Sequence, residues 1–299
     1  MTAVSVPGTS APPRLEPLRR FARGFAAQPG GVTGLAVLAV VTALALAAPL
    51  FIHPADLNVV DATGPSLAPP SAKYWLGTDQ PGRSVLLLVI WGARSSLAIG
   101  VIATACTIVI GSAIGLLAGH FGGIAGRVLM AVTDWFIALP ALPLAIALAA
   151  VLGQGDTSIT IAIAVTSWTA TARIVRAQTL AVEARPFVER AHALGAGHRQ
   201  VMLRQVLPNV APLILVSSTL TVASAILTET TLAFLGLGNP TDVSWGAMIN
   251  QAVGQGAVTR GAWWYLLPPG VAILIVVLGF TLTGRAIEAV LNPRSGAQS

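Results

Sequence analysis

Long apolar stretches with little or no charge alternate with short charged segments along the whole chain. These runs occupy residues 24–55, 95–126, 128–153, 157–172, 211–235 and 264–284, with Asp134 and Glu229 as the only acidic residues inside them. A helix needs roughly 20 apolar residues to cross the hydrocarbon core of a bilayer. The pattern therefore predicts an all-α, polytopic membrane protein with about six transmembrane helices.

The same pattern divides the chain into segments. We expect a cytoplasmic tail at 1–30, a first transmembrane helix at 31–53 and an extracytoplasmic segment at 54–94. Within that segment, residues 84–91 are apolar but too few to span, which predicts a helix that lies at the membrane interface or packs on the bundle. A five-helix core is predicted at 95–285, and a second cytoplasmic tail at 286–299. The first helix is expected to stay uncleaved, because the segment before it is long for a signal peptide.

The distribution of positive charge predicts the orientation. With both termini in the cytoplasm, only Lys73, Arg83, Arg94 and Arg260 lie outside, and the other 13 of the 17 lysines and arginines lie inside. Cytoplasmic loops of membrane proteins carry such an excess. The net charge of +6 is therefore interpreted as an orientation signal, and no nucleic-acid partner is expected.

Composition excludes several kinds of chemistry. Hydrophobic residues make up 55% of the chain and charged residues only 9%, with a mean hydropathy of +0.78. The single cysteine, Cys106, excludes an internal disulfide and a multi-cysteine metal site. The single lysine, Lys73, is not in a Gly-Lys-Ser/Thr sequence, so the chain has no nucleotide-binding P-loop. We expect no metal, no cofactor and no catalytic role, and any ATPase must be another polypeptide.

One segment assigned to the cytoplasm, residues 182–208, is long and richly charged. Pro186 followed by Glu189 is typical of a helix start, because proline suits the first turn and a carboxylate there favours the helix dipole. The predicted apolar face of this helix contains Phe187, Ala191 and Leu194.

A glycine bend is predicted to follow. Gly195 and Gly197 would break the helix, and a second short helix, about 198–206, would end at Pro208. Two short helices joined at a bend would form a peg suited to a groove on a soluble partner.

These residues carry a resemblance to a known family. Glu189-Arg-Ala191, Gly195 six residues after the glutamate, and Leu207-Pro208 resemble the EAA loop of ABC-importer membrane subunits. Arg190 and Gln205 depart from the usual pattern, in place of an alanine and an isoleucine.

The rest of the chain resembles the dipeptide/oligopeptide permease group, and most of all its C-type subunit. The matching motifs are Tyr74-Trp-Leu-Gly-Thr-Asp79, Gly82-Arg83, Gly92-Ala-Arg94, Ala118-Gly119, Gly122-Gly123, Asp134, Pro140, Glu229, Phe234-Leu-Gly-Leu-Gly238, Ser244-Trp-Gly246, Trp263-Trp264 and Pro268-Pro269-Gly270. Departures from the group's pattern are Ser84, Leu87-Leu88, Gly126, Ala131 and Arg285.

The resemblance implies a type I ABC-importer transmembrane domain (MetI-like fold) in the bacterial inner membrane. It also implies a peptide cargo, a second homologous permease, two ATPase subunits that bind ATP and Mg²⁺, and an extracytoplasmic binding protein. The implied ATPase-coupling residues are Glu189, Arg190, Ala191, Leu194, Gly195, Gly197, Leu207 and Pro208. An importer for nickel or another small solute is the alternative within the same family.

Asp134 and Glu229 are candidate residues of the translocation pathway, because ionisable groups within membrane spans are usually functional. Hydrogen bonding inside the bundle, or a position near a helix end, is the structural alternative. The two carboxylates also leave open an ion-coupled secondary transporter, although the inverted repeats expected of one are not evident. An intramembrane enzyme would need a nucleophile–base or metal constellation, which the scarce His, Cys and acidic residues do not supply.

Overall fold

The structure, a computed structural model, describes residues 16–291. Within that range the chain is helical, without strands. The helices are α1 Glu16–Ala26, α2 Pro29–Phe51, α3 Pro54–Leu57, α4 Val85–Phe121, α5 Gly123–Ala138, α6 Ala141–Leu152, α7 Asp156–Glu183, α8 Pro186–Ala193, α9 His198–Val201, α10 Leu207–Phe234, α11 Trp245–Gly254 and α12 Trp263–Leu291. Parts of both predicted tails, 1–15 and 292–299, lie outside the described residues.

Five helices are long and apolar enough to span a membrane. They are α2, α4, α7, the continuous helix His198–Phe234 and α12. The pair α5 and α6 passes the same test when the two are taken together, with a bend of 89° between them. The prediction of about six spans agrees with this count if the bent pair is one span.

The bend between α5 and α6 occurs at Leu139 and Pro140, within the run predicted as one span at 128–153. Leu139 is extended (ψ 135°), as expected of a residue before proline. Pro140 caps the start of α6 and has no backbone N–H to continue the preceding helix. Backbone chemistry therefore divides this span into two helices.

Helix α4 corrects the prediction of a separate helix at 84–91 and agrees with packing on the bundle, one of the two predicted placements. Those residues are the N-cap and first turns of α4, which runs without a break for 37 residues. Val85 and Leu88 are fully or almost fully buried in the main core cluster, so this end of the helix packs on the bundle. The apolar sequence resumes at 96–118. One continuous helix therefore keeps its backbone hydrogen bonds, which a helix that ended at the membrane surface would lose at its end.

Small residues let α4 and α7 pack closely. A Cβ atom at Gly111 would lie 2.6 Å from the Trp168 carbonyl oxygen, and one at Gly115 would lie 2.6 Å from that of Ala172. Gly119 continues the same row one turn further on. Glycines four residues apart allow close backbone approach between membrane helices. Helices α4 and α7 thus form a close pair whose last turns lie side by side.

A buried ion pair fixes the connection between α3 and α4 at one end of the bundle. Arg83 Nε donates to Asp79 Oδ2 at 2.7 Å, and the side chains are 7% and 0% exposed. The Arg83 guanidinium also donates to the carbonyl oxygen of Leu57 at 3.0 Å and to Gln251 Oε1 at 3.3 Å. These contacts join residues 57–83 to α11.

Candidate coupling loop

The elbow, which we define as residues 184–197 between α7 and α9, is at the opposite end of the bundle from the Asp79–Arg83 pair. Its first helix, α8, begins at Pro186, as predicted. Val188 on α8 is completely buried and packs in a cluster with Val182, Val201 and Val206. The elbow therefore packs firmly against the ends of the long helices.

The apolar face of α8 is shifted from the predicted one. Phe187 and Ala191 are half-buried beside Val188 in the same cluster. Leu194 is instead 89% exposed, because α8 ends at Ala193 and Leu194 already lies outside it. The predicted third member of the apolar stripe is thus a protruding side chain at the tip of the elbow.

The bend at Gly195 is a Schellman motif. The Ala196 amide donates to the Ala191 carbonyl oxygen at 3.0 Å, and the Gly195 amide to that of His192 at 2.9 Å. Gly195 has φ +84°, in the left-handed region that glycine adopts most readily. Gly197 has an ordinary extended backbone, φ −70°, and open space where a Cβ would be. Only Gly195 of the two needs to be glycine for the bend.

Glu189 and Arg190 are exposed on α8. Arg190 Nε donates to the Pro186 carbonyl oxygen at 3.2 Å, so its side chain folds back along its own helix. Glu189 has no such side-chain contact among the described residues and projects from the first turn. Together with Leu194, these side chains form the outer surface of the elbow.

The second half of the loop differs from the prediction of a short helix ending at Pro208. The chain is helical from His198 to Phe234, with a π-turn at Met202–Val206 in which the Leu207 amide donates to the Met202 carbonyl oxygen. Pro208 lies in the first turn of α10 and has no N–H for the Arg204 carbonyl, which disfavours regular α geometry there. Leu207 is half-buried in the cluster around Val188. The elbow is therefore joined to a membrane span by helix alone.

Glu229 lies inside the bundle. Its side chain is 0% exposed. The Thr230 hydroxyl donates to Oε2 at 3.3 Å, whereas Oε1 has no hydrogen-bond partner among the described residues. Ser96 on α4 and Ser244, which caps α11, lie near this carboxyl group, so Glu229 is placed where three helices meet. This buried position is the structural alternative that the sequence left open, and a role for Glu229 in the pathway stays a prediction.

Asp134 is on the surface and is paired. Arg173 Nη2 donates to Asp134 Oδ1 at 2.7 Å, and the two side chains are 53% and 59% exposed. The pair joins α5 to α7. A role for Asp134 in the pathway stays a prediction.

Sequence reasoning missed a histidine contact at the elbow. His120 at the end of α4 lies between Glu183 and His198, although 63 and 78 residues separate it from them. No spacing rule joins such distant residues, so the sequence carried no signal for this contact. Within residues 16–291 no group of His, Cys, Asp and Glu side chains is placed to hold a metal ion.

Comparison with known proteins agrees with this architecture. Residues 111–296 match the family model described as binding-protein-dependent transport system inner membrane component. The probable D,D-dipeptide transport system permease protein DdpC of Escherichia coli (strain K12) is 37% identical over 81% of this chain and 80% of its own. The di/tripeptide transport system permease protein DppC of Pseudomonas aeruginosa (strain UCBPP-PA14) is 37% identical over 93% and 92%. The oligopeptide transport system permease protein OppC of Bacillus subtilis (strain 168) is 35% identical over 88% and 85%.

A solved structure shows the same fold. The chain aligns with an inward-facing conformation of the MetNI methionine ABC transporter at a TM-score of 0.56 and 20% sequence identity, covering 69% of this chain and 97% of that one. This confirms the predicted MetI-like fold. The protein therefore belongs to the family of binding-protein-dependent transport system inner membrane components, and it is a multi-pass membrane permease.

Proposed function

We propose that this chain is the permease subunit of an ATP-driven importer of di- or oligopeptides and forms half of its translocation pathway. Relatives named as D,D-dipeptide, di/tripeptide and oligopeptide permeases, at 35–37% identity over most of the chain, support the peptide cargo. Since the chain has no nucleotide-binding P-loop, ATP and Mg²⁺ would bind to two separate ATPase subunits, and this subunit would be non-catalytic.

The observation that carries the coupling proposal is the elbow. It presents exposed Glu189 and Leu194 outward while Val188 is buried against the helix ends. It also continues into α10 through helix alone. A segment that is exposed on one side and packed on the other can receive a push from a docked partner and pass it into the membrane span.

The surface around the elbow suits a soluble partner. Arg199 and Arg204 are exposed beside it and line a shallow groove of about 310 Å³ with Gln200 and Leu203. Positive charge around the protruding Glu189 would orient an ATPase surface of complementary charge. We assign this end of the bundle to the cytoplasm, together with both termini.

The opposite end would receive the binding protein and its peptide. It carries a cleft of about 610 Å³ beside the Asp79–Arg83 pair, lined among others by Trp91, Asp242 and Gln251. Mixed polar and aromatic surfaces of this kind are common in protein interfaces. A second, homologous permease would pack beside this subunit and complete the pathway.

Purification from native membranes in mild detergent tests the proposal. We expect two ATPase chains and one homologous permease to copurify, and uptake of labelled dialanine or a labelled tripeptide into proteoliposomes to require ATP inside the vesicles and the binding protein outside. Uptake by the isolated chain, driven by a proton gradient without ATP, would instead establish an ion-coupled transporter.

A further inference from the structure

His120 lies in the last turn of α4, and its side chain is buried at the base of the elbow. Its side chain is 2% exposed. Its Nδ1 is 2.5 Å from Glu183 Oε1, and its Nε2 is 3.1 Å from His198 Nδ1. Both ring nitrogens are therefore engaged by partners on two other helices.

The two partners stand at the two ends of the elbow. Glu183 is the last residue of α7, immediately before residue 184, and His198 is the first residue of α9, immediately after residue 197. One imidazole thus connects the entry and the exit of the elbow to each other and to α4. No other side-chain hydrogen bond among the described residues joins these two positions.

The hydrogen-bond pattern is complete with His120 either neutral or protonated. His120 Nδ1–H donates to the Glu183 carboxylate in both states. Towards His198, Nε2 accepts from Nδ1–H when His120 is neutral and donates to bare Nδ1 when it is protonated. A hydrogen bond from an imidazole to a carboxylate is charge-assisted in either state of the ring, because the acceptor is ionised, and it is stronger than one between neutral groups.

His192 provides a natural comparison. It lies on α8 beside the other two histidines. The centre of its ring is 6.4 Å from that of His120 and 5.9 Å from that of His198. Its side chain makes no hydrogen bond to any described residue, and it is exposed. His120 therefore bridges two partners by hydrogen bonds, whereas His192 is a neighbouring histidine that only packs beside it.

We propose that His120 is a positioning residue that closes the elbow into a rigid unit and transmits movement of that unit into α4. Helix α4 is well suited to receive it, because the glycine row at Gly111, Gly115 and Gly119 already packs this helix closely against α7. Movement at the elbow would then reach α4, α7 and α10 together. Transmission during ATP turnover rests on the proposed function, whereas the closing of the elbow does not.

Hydrogen–deuterium exchange of the purified full-length chain in detergent tests the closed elbow. In His120→Ala, amides of residues 184–197 should exchange roughly tenfold faster, since a lost hydrogen bond to a charged group shifts a local opening equilibrium by about this factor. His192→Ala should leave their exchange unchanged. Glu183→Ala and His198→Ala each remove one of the two hydrogen bonds of His120. These two variants replace His120→Ala in the experiment if that variant does not fold. Equal exchange in the wild type, these variants and His192→Ala would overturn the proposal.

The transmission step is tested on the complex copurified with its ATPases. In the wild type, ATP with vanadate should change exchange both in residues 184–197 and in the last turns of α4. In His120→Ala the change in the elbow should persist while the change in α4 is lost, and His192→Ala should behave as wild type. A change in α4 that persists in His120→Ala would overturn transmission through this residue.

If ATP with vanadate changes nothing in the wild-type elbow, the proposed coupling function fails. The exchange experiment on the purified chain in detergent still decides whether His120 closes the elbow.

Discussion

The Ala196 amide donates to the carbonyl oxygen of Ala191 at 3.0 Å, and this bond closes the turn between α8 and α9. It forms only because Gly195 between them takes a left-handed backbone conformation. One backbone bond thus sets the angle at which Glu189 and Leu194 face a partner.

The bend gives a prediction for two nearby glycines. Gly195→Val should disfavour the left-handed conformation by about 1–2 kcal/mol and displace the tip of the elbow. We expect ATP hydrolysis by the complex to continue while peptide uptake falls, measured in the same proteoliposomes. Gly197→Ala is the matched control and should retain both activities, because its backbone is ordinary and its surroundings are open. Equal loss in both variants would contradict the role of the turn.

Close packing of α4 on α7 gives a second prediction. Gly115→Ala places a methyl group 2.6 Å from the Ala172 carbonyl oxygen and should lower the free energy of unfolding by about 1–3 kcal/mol. Thermal unfolding in detergent measures the change. Gly270→Ala on α12 should leave the melting temperature unchanged or slightly raised, because nothing lies within 4 Å of the added carbon. A smaller effect at position 115 than at 270 would show that the two helices are not closely packed.

The buried ion pair gives a third prediction. Arg83→Met leaves the Asp79 carboxylate buried without its partner and should destabilise the fold by about 3–5 kcal/mol. The double variant Asp79→Leu/Arg83→Met should recover part of that loss, since no uncompensated charge remains. Arg94→Met is the control: its guanidinium lies over the Trp91 ring at 4.4 Å and is exposed, so its loss should cost about 0.5–1 kcal/mol. Chemical denaturation in detergent distinguishes these outcomes.

The Asp134–Arg173 pair gives a fourth prediction, which separates stability from transport. Because both side chains are more than half exposed, Asp134→Asn should change the free energy of unfolding by less than about 1 kcal/mol. If Asp134 lines the pathway, uptake should nevertheless fall. The charge exchange Asp134→Arg/Arg173→Asp should restore uptake if the pair acts only as a tie between α5 and α7. Normal uptake in Asp134→Asn would remove this residue from the pathway.

The lengths of the apolar runs were sufficient to predict a helical membrane protein with about six spans, because spanning helices are dictated by the bilayer and by backbone hydrogen bonding. The MetI-like fold was implied by the family resemblance. The start of α8 at Pro186 and the bend at Gly195 were also predictable, since both depend on local backbone chemistry. The continuous helix through Pro208 was not, because a π-turn accommodates a proline that a regular helix would not. The extension of α4 through residues 84–91 was not predictable either, because the burial of its first turns depends on distant parts of the chain.

The candidate site divides in the same way. The resemblance to the EAA loop implied Glu189, Gly195 and Pro208 as coupling residues, and these lie close together along the chain. The environments of Glu229 and Asp134 depend on which helices meet around them, and the sequence does not state this. His120 was missed for the same reason: its partners are more than 60 residues away, and only the way in which α4 meets the end of α7 and the start of α9 brings them together.

Cross-linking at the tip of the elbow tests the central claim most directly. In a Cys106→Ser background, Leu194→Cys places a thiol at a position 89% exposed, and Val60→Cys places one at a position 87% exposed near the opposite end of the bundle. In membranes that contain the whole complex, a short bifunctional reagent should join position 194 to an ATPase subunit and should not join position 60 to it. Cross-links from position 60 to the ATPase, or labelling of position 194 by an impermeant reagent added outside intact cells, would contradict the assignment of the elbow as the coupling element.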